Sequence, residues 1–151
     1  MKAAALFHRT VTSCTDRDTL EEAAALLWRH NIGCLPVIGD DGRLIGMITD
    51  RDIMIAAFLQ GAPLRSITVS SVMVKEVMTC HVDDEIDVIV QQLLARRLRR
   101  IPVIDADRRV VGIISLNDIA RAAIASQLSA GGIAAVLAAI AVPRSLAASA
   151  P

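Results

Sequence analysis

Apolar and polar positions along the chain fall into two periods, and each period switch predicts an element. Residues 11–14 read as a short strand. Asp18 and Glu21, three positions apart, predict a capping box opening a helix on which Leu20, Ala24 and Leu27 recur at helical spacing. The apolar run 35–38, the polar turn Gly39-Asp40-Asp41-Gly42 and the apolar run 44–48 predict a β-hairpin. A second helix is predicted after Thr49, running to about Gln60, where Gly61 and Pro63 stop it.

The same order then returns. Asp84 and Asp87 open a helix with an apolar stripe of Ile86, Val90, Leu93 and Leu94; runs 101–104 and 110–114 predict a hairpin; a helix follows Ser115. Shifting the chain by 66 positions lays residues 11–56 over 77–122 without a gap, with 14 identities in 46 positions. A unit of about 60 residues buries too little surface to be secure alone, so the two copies are expected to bury their apolar faces on each other. The expected organisation is a first repeat at 1–62, a linker at 63–68, a second repeat at 69–126 and a C-terminal helix and tail at 127–151. Ile133, Val136, Leu137 and Ile140 carry that last helix, which ends before Pro143.

Composition narrows the function classes. Of 151 residues, 54% are hydrophobic, and sixteen basic residues balance sixteen acidic ones for a formal charge of +0. No long-range field exists to collect nucleic acid or an anionic membrane. The longest uncharged apolar stretch, 130–142, is shorter than the roughly 20 residues a membrane-spanning helix needs. His8 and Arg9 interrupt the apolar start before a signal peptide can form, and three cysteines without an even framework suit a reducing compartment. A cytoplasmic location is expected.

The β-α-β-β-α order, the apolar-Pro-apolar strand and the spacing Gly-x-x-Thr/Ser-x-x-Asp are all present twice, as Gly46, Thr49, Asp52 and Gly112, Ser115, Asp118. Over residues 3–122 the chain resembles the CBS domain, a family found as tandem pairs called Bateman modules. The resemblance implies an α/β (α+β) fold of two repeats packed about a pseudo-two-fold axis. It implies a regulatory module binding an adenosine-containing ligand (AMP, ADP, ATP, NAD or S-adenosylmethionine) in clefts between the copies, with no obligatory cofactor. It also implies a homodimer, acting in trans on another protein, since nothing else in the chain is there to be regulated.

The residues support that chemistry in their own terms. Thr49 and Ser115 each sit where a strand ends and a helix starts, which brings a hydroxyl and backbone N–H groups together in a field that favours anions. Asp52 and Asp118 lie in the first helical turn, where a carboxylate can accept both hydroxyls of a ribose. The same spacing is also that of an ordinary capped helix.

Arg99 and Arg100 precede the second apolar-Pro-apolar strand where the first copy has Gly33 and Cys34. The resemblance has basic residues here facing phosphates, and guanidinium forks match phosphate oxygens, although with Arg96 and Arg97 they also fit a solvated helix end. Arg51, with Asn117 in the matching place, is open either to phosphate or to a surface pair with Asp50. Ser13 and Thr79, on the first strands, match a position that contacts ligand in the family or are plain strand residues. Leu35, Pro36, Ile101 and Pro102, with Ile32 and Leu98, are candidates for aliphatic walls around adenine, each equally a core residue.

Cys14 and Cys80 occupy matching positions and His81 adjoins Cys80, but no ligand spacing or fourth group makes a metal site. A Cys14–Cys34 disulfide is left open. No Ser-His-Asp arrangement, phosphate-binding glycine loop or His-Glu-x-x-His motif appears, so an enzyme is not expected. The alternative to a ligand-binding module is a ligand-free interaction module working through its apolar faces.

Overall fold

The computed structural model describes residues 1–7 and 9–125, together with Ala138; apart from Ala138, the expected C-terminal helix and tail lie outside the described residues. The elements are β1 (Cys14–Thr15), α1 (Leu20–His30), β2 (Cys34–Ile38), β3 (Leu44–Thr49), α2 (Asp50–Gln60), β4 (Cys80–His81), α3 (Ile86–Ala95), β5 (Arg100–Ile104), β6 (Val110–Ser115) and α4 (Leu116–Ala125). They form two three-stranded sheets, ordered β1-β2-β3 and β4-β5-β6. In each, the short first strand runs parallel to the middle one and the hairpin partner antiparallel. The repeat holds to the residue: Pro36 faces Met47 and Pro102 faces Ile113, with a register irregularity at Val37/Ile38 and again at Val103/Ile104. Proline is tolerated in these middle strands because β1 and β4 pair only with the residues after it.

Helix starts depart from the sequence expectation. Asp18 accepts the Thr15 N–H at 2.8 Å and closes the turn after β1, so α1 begins one residue later. Its capping box is Thr19 with Glu22. Asp84 likewise accepts the His81 N–H at 2.8 Å, and α3 begins behind Glu85 with no side-chain cap. The αL residues that end these helices match at the 66 offset, Asn31 with φ 51° and Arg97 with φ 54°.

Two hydrophobic cores result. Leu20, Leu27, Leu35, Val37, Ile48 and Ile53 centre the first; Ile86, Ile89, Leu93, Ile101, Val103 and Ile114 centre the second. Each is completed by a segment from elsewhere in the chain. Ile67 and Val69, in the connection between copies, are buried in the first core, and Ala3, with Leu6 and Phe7 against it, belongs to the second. Backbone bonds fix the exchange: Leu20 N–H to Ile67 O (2.9 Å) and Val69 N–H to Asp18 O (2.8 Å) on one side, Ala3 N–H to Asp84 O (2.8 Å) and Ile86 N–H to Met1 O (2.8 Å) on the other. Ala3 and Val69 are themselves 66 residues apart. Glycine makes room for both segments: a Cβ on Gly112 would lie 2.1 Å from Phe7 Cδ2, and one on Gly46 would lie 2.7 Å from Met73 Sδ.

The two hairpins meet at their turns, where the Leu44 N–H donates to Arg108 O and the Arg43 Nε–H to Asp107 O, both at 3.0 Å. Among the described residues no helix is long and apolar enough to cross a membrane.

Candidate adenosine-ligand site

Both expected motifs form the same hydrogen-bonded knot at a strand-to-helix junction. Thr49 is extended (φ −118°, ψ 162°), and its N–H and hydroxyl both donate to Asp52 Oδ2, at 2.9 and 2.7 Å. The Asp52 N–H returns to Thr49 Oγ1 at 3.2 Å. In the second copy the Ser115 N–H and hydroxyl donate to Asp118 Oδ2 at 2.9 and 2.5 Å, and the Asp118 N–H donates to Ser115 Oγ at 3.2 Å. Capping takes only one carboxylate oxygen of each aspartate: Oδ2 holds the helix start, and Oδ1 is turned elsewhere. Asp52 Oδ1 has no partner among the described residues, whereas Asp118 Oδ1 accepts from Arg121 at 2.7 Å, a pair the sequence reading missed. The Asp118 side chain is only 9% exposed, so this carboxylate is presented from within the fold.

The helix N-termini are unequal. In the first copy the Asp50 N–H donates to Gly33 O (3.3 Å) and the Arg51 N–H to Asp50 Oδ1 (2.7 Å). A side-chain carboxylate thus already occupies the anion position. This corrects the expectation of unpaired N–H groups at that junction, and the contact between Arg51 and Asp50 is through the Arg51 backbone. In the second copy Leu116 stands where Asp50 does, its N–H donating to Arg99 O at 3.0 Å, and among the described residues no side chain accepts from the next N–H, that of Asn117. The Asp50/Leu116 difference was legible at the 66 offset.

Arg100 joins the copies. Its backbone pairs with Ser115 across β5 and β6, but its guanidinium crosses to the first copy. A Cβ on Gly33 would lie 3.1 Å from one of its terminal nitrogens and 3.2 Å from Asp50 Oδ2. Gly33 is what gives Arg100 this path. Burial pushes the Cys34 thiol up, the adjacent Arg100 guanidinium draws it back down by charge and hydrogen bond, and Asp50 pushes it up again. The guanidinium therefore reaches the first copy, at Gly33 and Cys34. Arg99 is exposed beside it.

Other candidates divide clearly. Leu35, Pro36, Ile101 and Pro102 are fully buried, so their side chains build the cores beneath the junctions. Ile32 is 37% exposed and lines a groove of about 280 Å³ with Ala24, Leu27, Trp28, Asn31, Asp50 and Ile53; Leu98 is half-buried against the second core. Ser13 and Thr79 lie one residue before β1 and β4, half-buried, not on the strands as expected. The three cysteines are buried free thiols in this structure. Burial, reinforced by Asp18 and Asp84 respectively, raises Cys14 and Cys80 to about 12.

Comparison with known proteins agrees with this architecture. The family model for the CBS domain matches residues 3–58 and 69–125. Hypoxic response protein 1 of Mycobacterium tuberculosis is 36% identical over 111 residues, spanning 74% of this chain and 77% of that protein. The CBS domain-containing protein YhcV of Bacillus subtilis is 34% identical over 110 residues, spanning 73% and 76%. Among solved structures, the CBS domain pair of protein MJ0100, in complex with 5'-methylthioadenosine and S-adenosyl-L-methionine, superposes with a TM-score of 0.75 at 29% identity, covering 83% of this chain and 98% of that one.

Proposed function

The chain belongs to the CBS-domain family, and on that premise we propose that it is a regulatory CBS pair that binds an adenosine-containing ligand at the β3–α2 and β6–α4 junctions. It acts as a homodimer, in the cytoplasm and without catalysis of its own, on another protein in trans. The observation that carries this reading is the doubled Thr/Ser–Asp knot, in which one carboxylate oxygen of Asp52 and of Asp118 is fixed by its own helix start, which supports their use as rigid acceptors for a ribose diol. That the MJ0100 pair holds two adenosine compounds supports the same ligand class here.

The inequality of the junctions supports a division of labour. The second, with Leu116 in place of Asp50 and with Arg99 beside it, suits a phosphorylated ligand such as AMP, ADP or ATP. The first, with the Asp50 carboxylate already at its helix start, suits an adenosine compound that carries no phosphate. Arg100, whose guanidinium lies against Gly33 and Cys34 of the first copy, is the side chain free to turn to the phosphate of a bound ligand.

Isothermal titration of the purified chain with AMP, ATP, adenosine, NAD and S-adenosylmethionine tests this. Saturable binding of at least one adenosine compound, absent for the matching guanosine compounds, is expected. No heat and no thermal stabilisation by any of them, when a ligand at 100 times its Kd adds about 2.7 kcal/mol, would leave the second reading. That reading is a ligand-free interaction module, and the exposed apolar faces of α1 and α2 favour it.

A further inference from the structure

The two Thr/Ser–Asp knots differ at one place that helix capping does not explain. One turn along α4 from Asp118, Arg121 donates from a terminal guanidinium nitrogen to Asp118 Oδ1 at 2.7 Å. The offset of 66 puts Ile55 at that place in the first copy, where Asp52 Oδ1 has no partner among the described residues. The members of the pair are set differently, with the Asp118 side chain 9% exposed and the Arg121 side chain 72%. Among the described residues Asp118 is the one hydrogen-bond partner of this guanidinium, whose planar fork carries five N–H donors. The second junction therefore meets a ribose with a carboxylate that already holds a cation.

We infer that Arg121 makes the second site selective for an adenosine compound whose ribose carries a phosphate on its 2' or 3' hydroxyl. This rests on the ligand class of the proposed function and adds which end of the ligand the second site reads. An unmodified diol gains least at Asp118, because its hydroxyls must share Oδ1 with Arg121 or displace it. A ribose phosphorylated on one hydroxyl has a single O–H left to donate and asks less of the shared carboxylate. Its phosphate is the group that a guanidinium fork fits best, two oxygens against two parallel N–H groups.

Charge acts in the same direction. A phosphate beside Asp118 alone would face like charge at close range, whereas the more exposed member of the pair is the cation. Ile55 gives the first junction no fork at this place, so the preference belongs to the second site and should appear once per chain. An ordinary ion pair on a helix surface joins two exposed side chains. Here the acid is the residue that caps the helix from within the fold.

Isothermal titration of the full chain and of Arg121→Gln with adenosine, 5'-AMP, 2'-AMP and 3'-AMP tests the inference. Wild type should bind one of the two ribose phosphates, one per chain, at least about five-fold more tightly than adenosine. The 2' and 3' arms tell which hydroxyl carries the phosphate. Arg121→Gln should erase that advantage while 5'-AMP keeps its Kd and adenosine binds equally or better. The side chain is mostly exposed, and circular dichroism confirms that the variant folds. The inference is overturned if neither ribose phosphate binds more tightly than adenosine, or if the advantage survives Arg121→Gln, which makes the pair a feature of the helix surface. An equal loss for 5'-AMP overturns it as well, since Arg121 would then answer to any phosphate. Adenosine and 5'-AMP keep the ligand reading separate: their binding without a ribose-phosphate preference loses the selectivity and keeps the site, and silence from all four compounds removes both.

Discussion

Asp118→Ala separates the two duties of one carboxylate. Removing it takes away the acceptor of the Ser115 N–H and hydroxyl and the partner of Arg121. The Arg121 side chain is 72% exposed, so that ion pair contributes little. Loss of the cap costs about 0.5–2 kcal/mol, and in a chain of this length each 1 kcal/mol lowers Tm by about 2–4 °C. The fold survives. Ligand binding falls further, because a ribose loses a charged acceptor worth roughly 1.5–3 kcal/mol, which raises Kd by about 10- to 100-fold for AMP and adenosine alike. Ser115→Ala is the control: it removes the hydroxyl half of the cap, lowers Tm by a similar amount and leaves the carboxylate to bind ribose. Differential scanning calorimetry with isothermal titration on both variants reads the two effects apart. If Asp118→Ala lowers Tm but leaves the Kd for adenosine unchanged, Asp118 is a helix cap alone and the ribose assignment is refuted.

Three other outcomes are expected. Arg100→Ala should weaken AMP and ATP while sparing adenosine in calorimetric titration; equal losses for all three would make Arg100 a structural contact with the first copy. Gly112→Ala places a Cβ 2.1 Å from Phe7 Cδ2, so it should displace Phe7 and destabilise by about 1–3 kcal/mol in thermal denaturation, with part of the loss recovered in the Phe7→Ala background; an unchanged Tm refutes the contact. Cys14 and Cys80, raised from an ordinary 9.0 to about 12, favour the protonated thiol in the fold, so their contribution is intact below pH 9 and is lost as pH climbs from 9 toward 12. Native protein should therefore resist a thiol reagent such as DTNB at pH 8 at both positions, and rapid labelling of either would contradict their burial.

What was legible in the sequence was whatever a repeat could amplify. Pro36 and Pro102 align, as do Gly46 and Gly112 and Asp52 and Asp118, so strand registers and helix starts reinforced one another across copies. The start of α1 was misplaced because two frames overlap there, Asp18 with Glu21 and Thr19 with Glu22, and only the claim of the Thr15 N–H on Asp18 decides between them. Ala3 and Val69 play one role but share no chemistry a sequence comparison would notice, so the exchanged segments were not seen. Arg100 was placed with the second copy by its position in the chain. Its reach to Gly33 depends on how the copies face each other, which no local pattern encodes.

The exchange of segments also sets an order of events for a nascent chain. The first core needs Val69 and closes once residues through about 74 have been made, with contacts no more than some fifty residues apart along the chain. The second core needs Ala3, so the segment around it stays uncommitted until β4 to β6 have appeared, and must then close a loop of about 80 residues, a slow step by the relation between contact order and rate. The pair is thus a single folding unit, and a cut between the repeats would sever each core from its own plug.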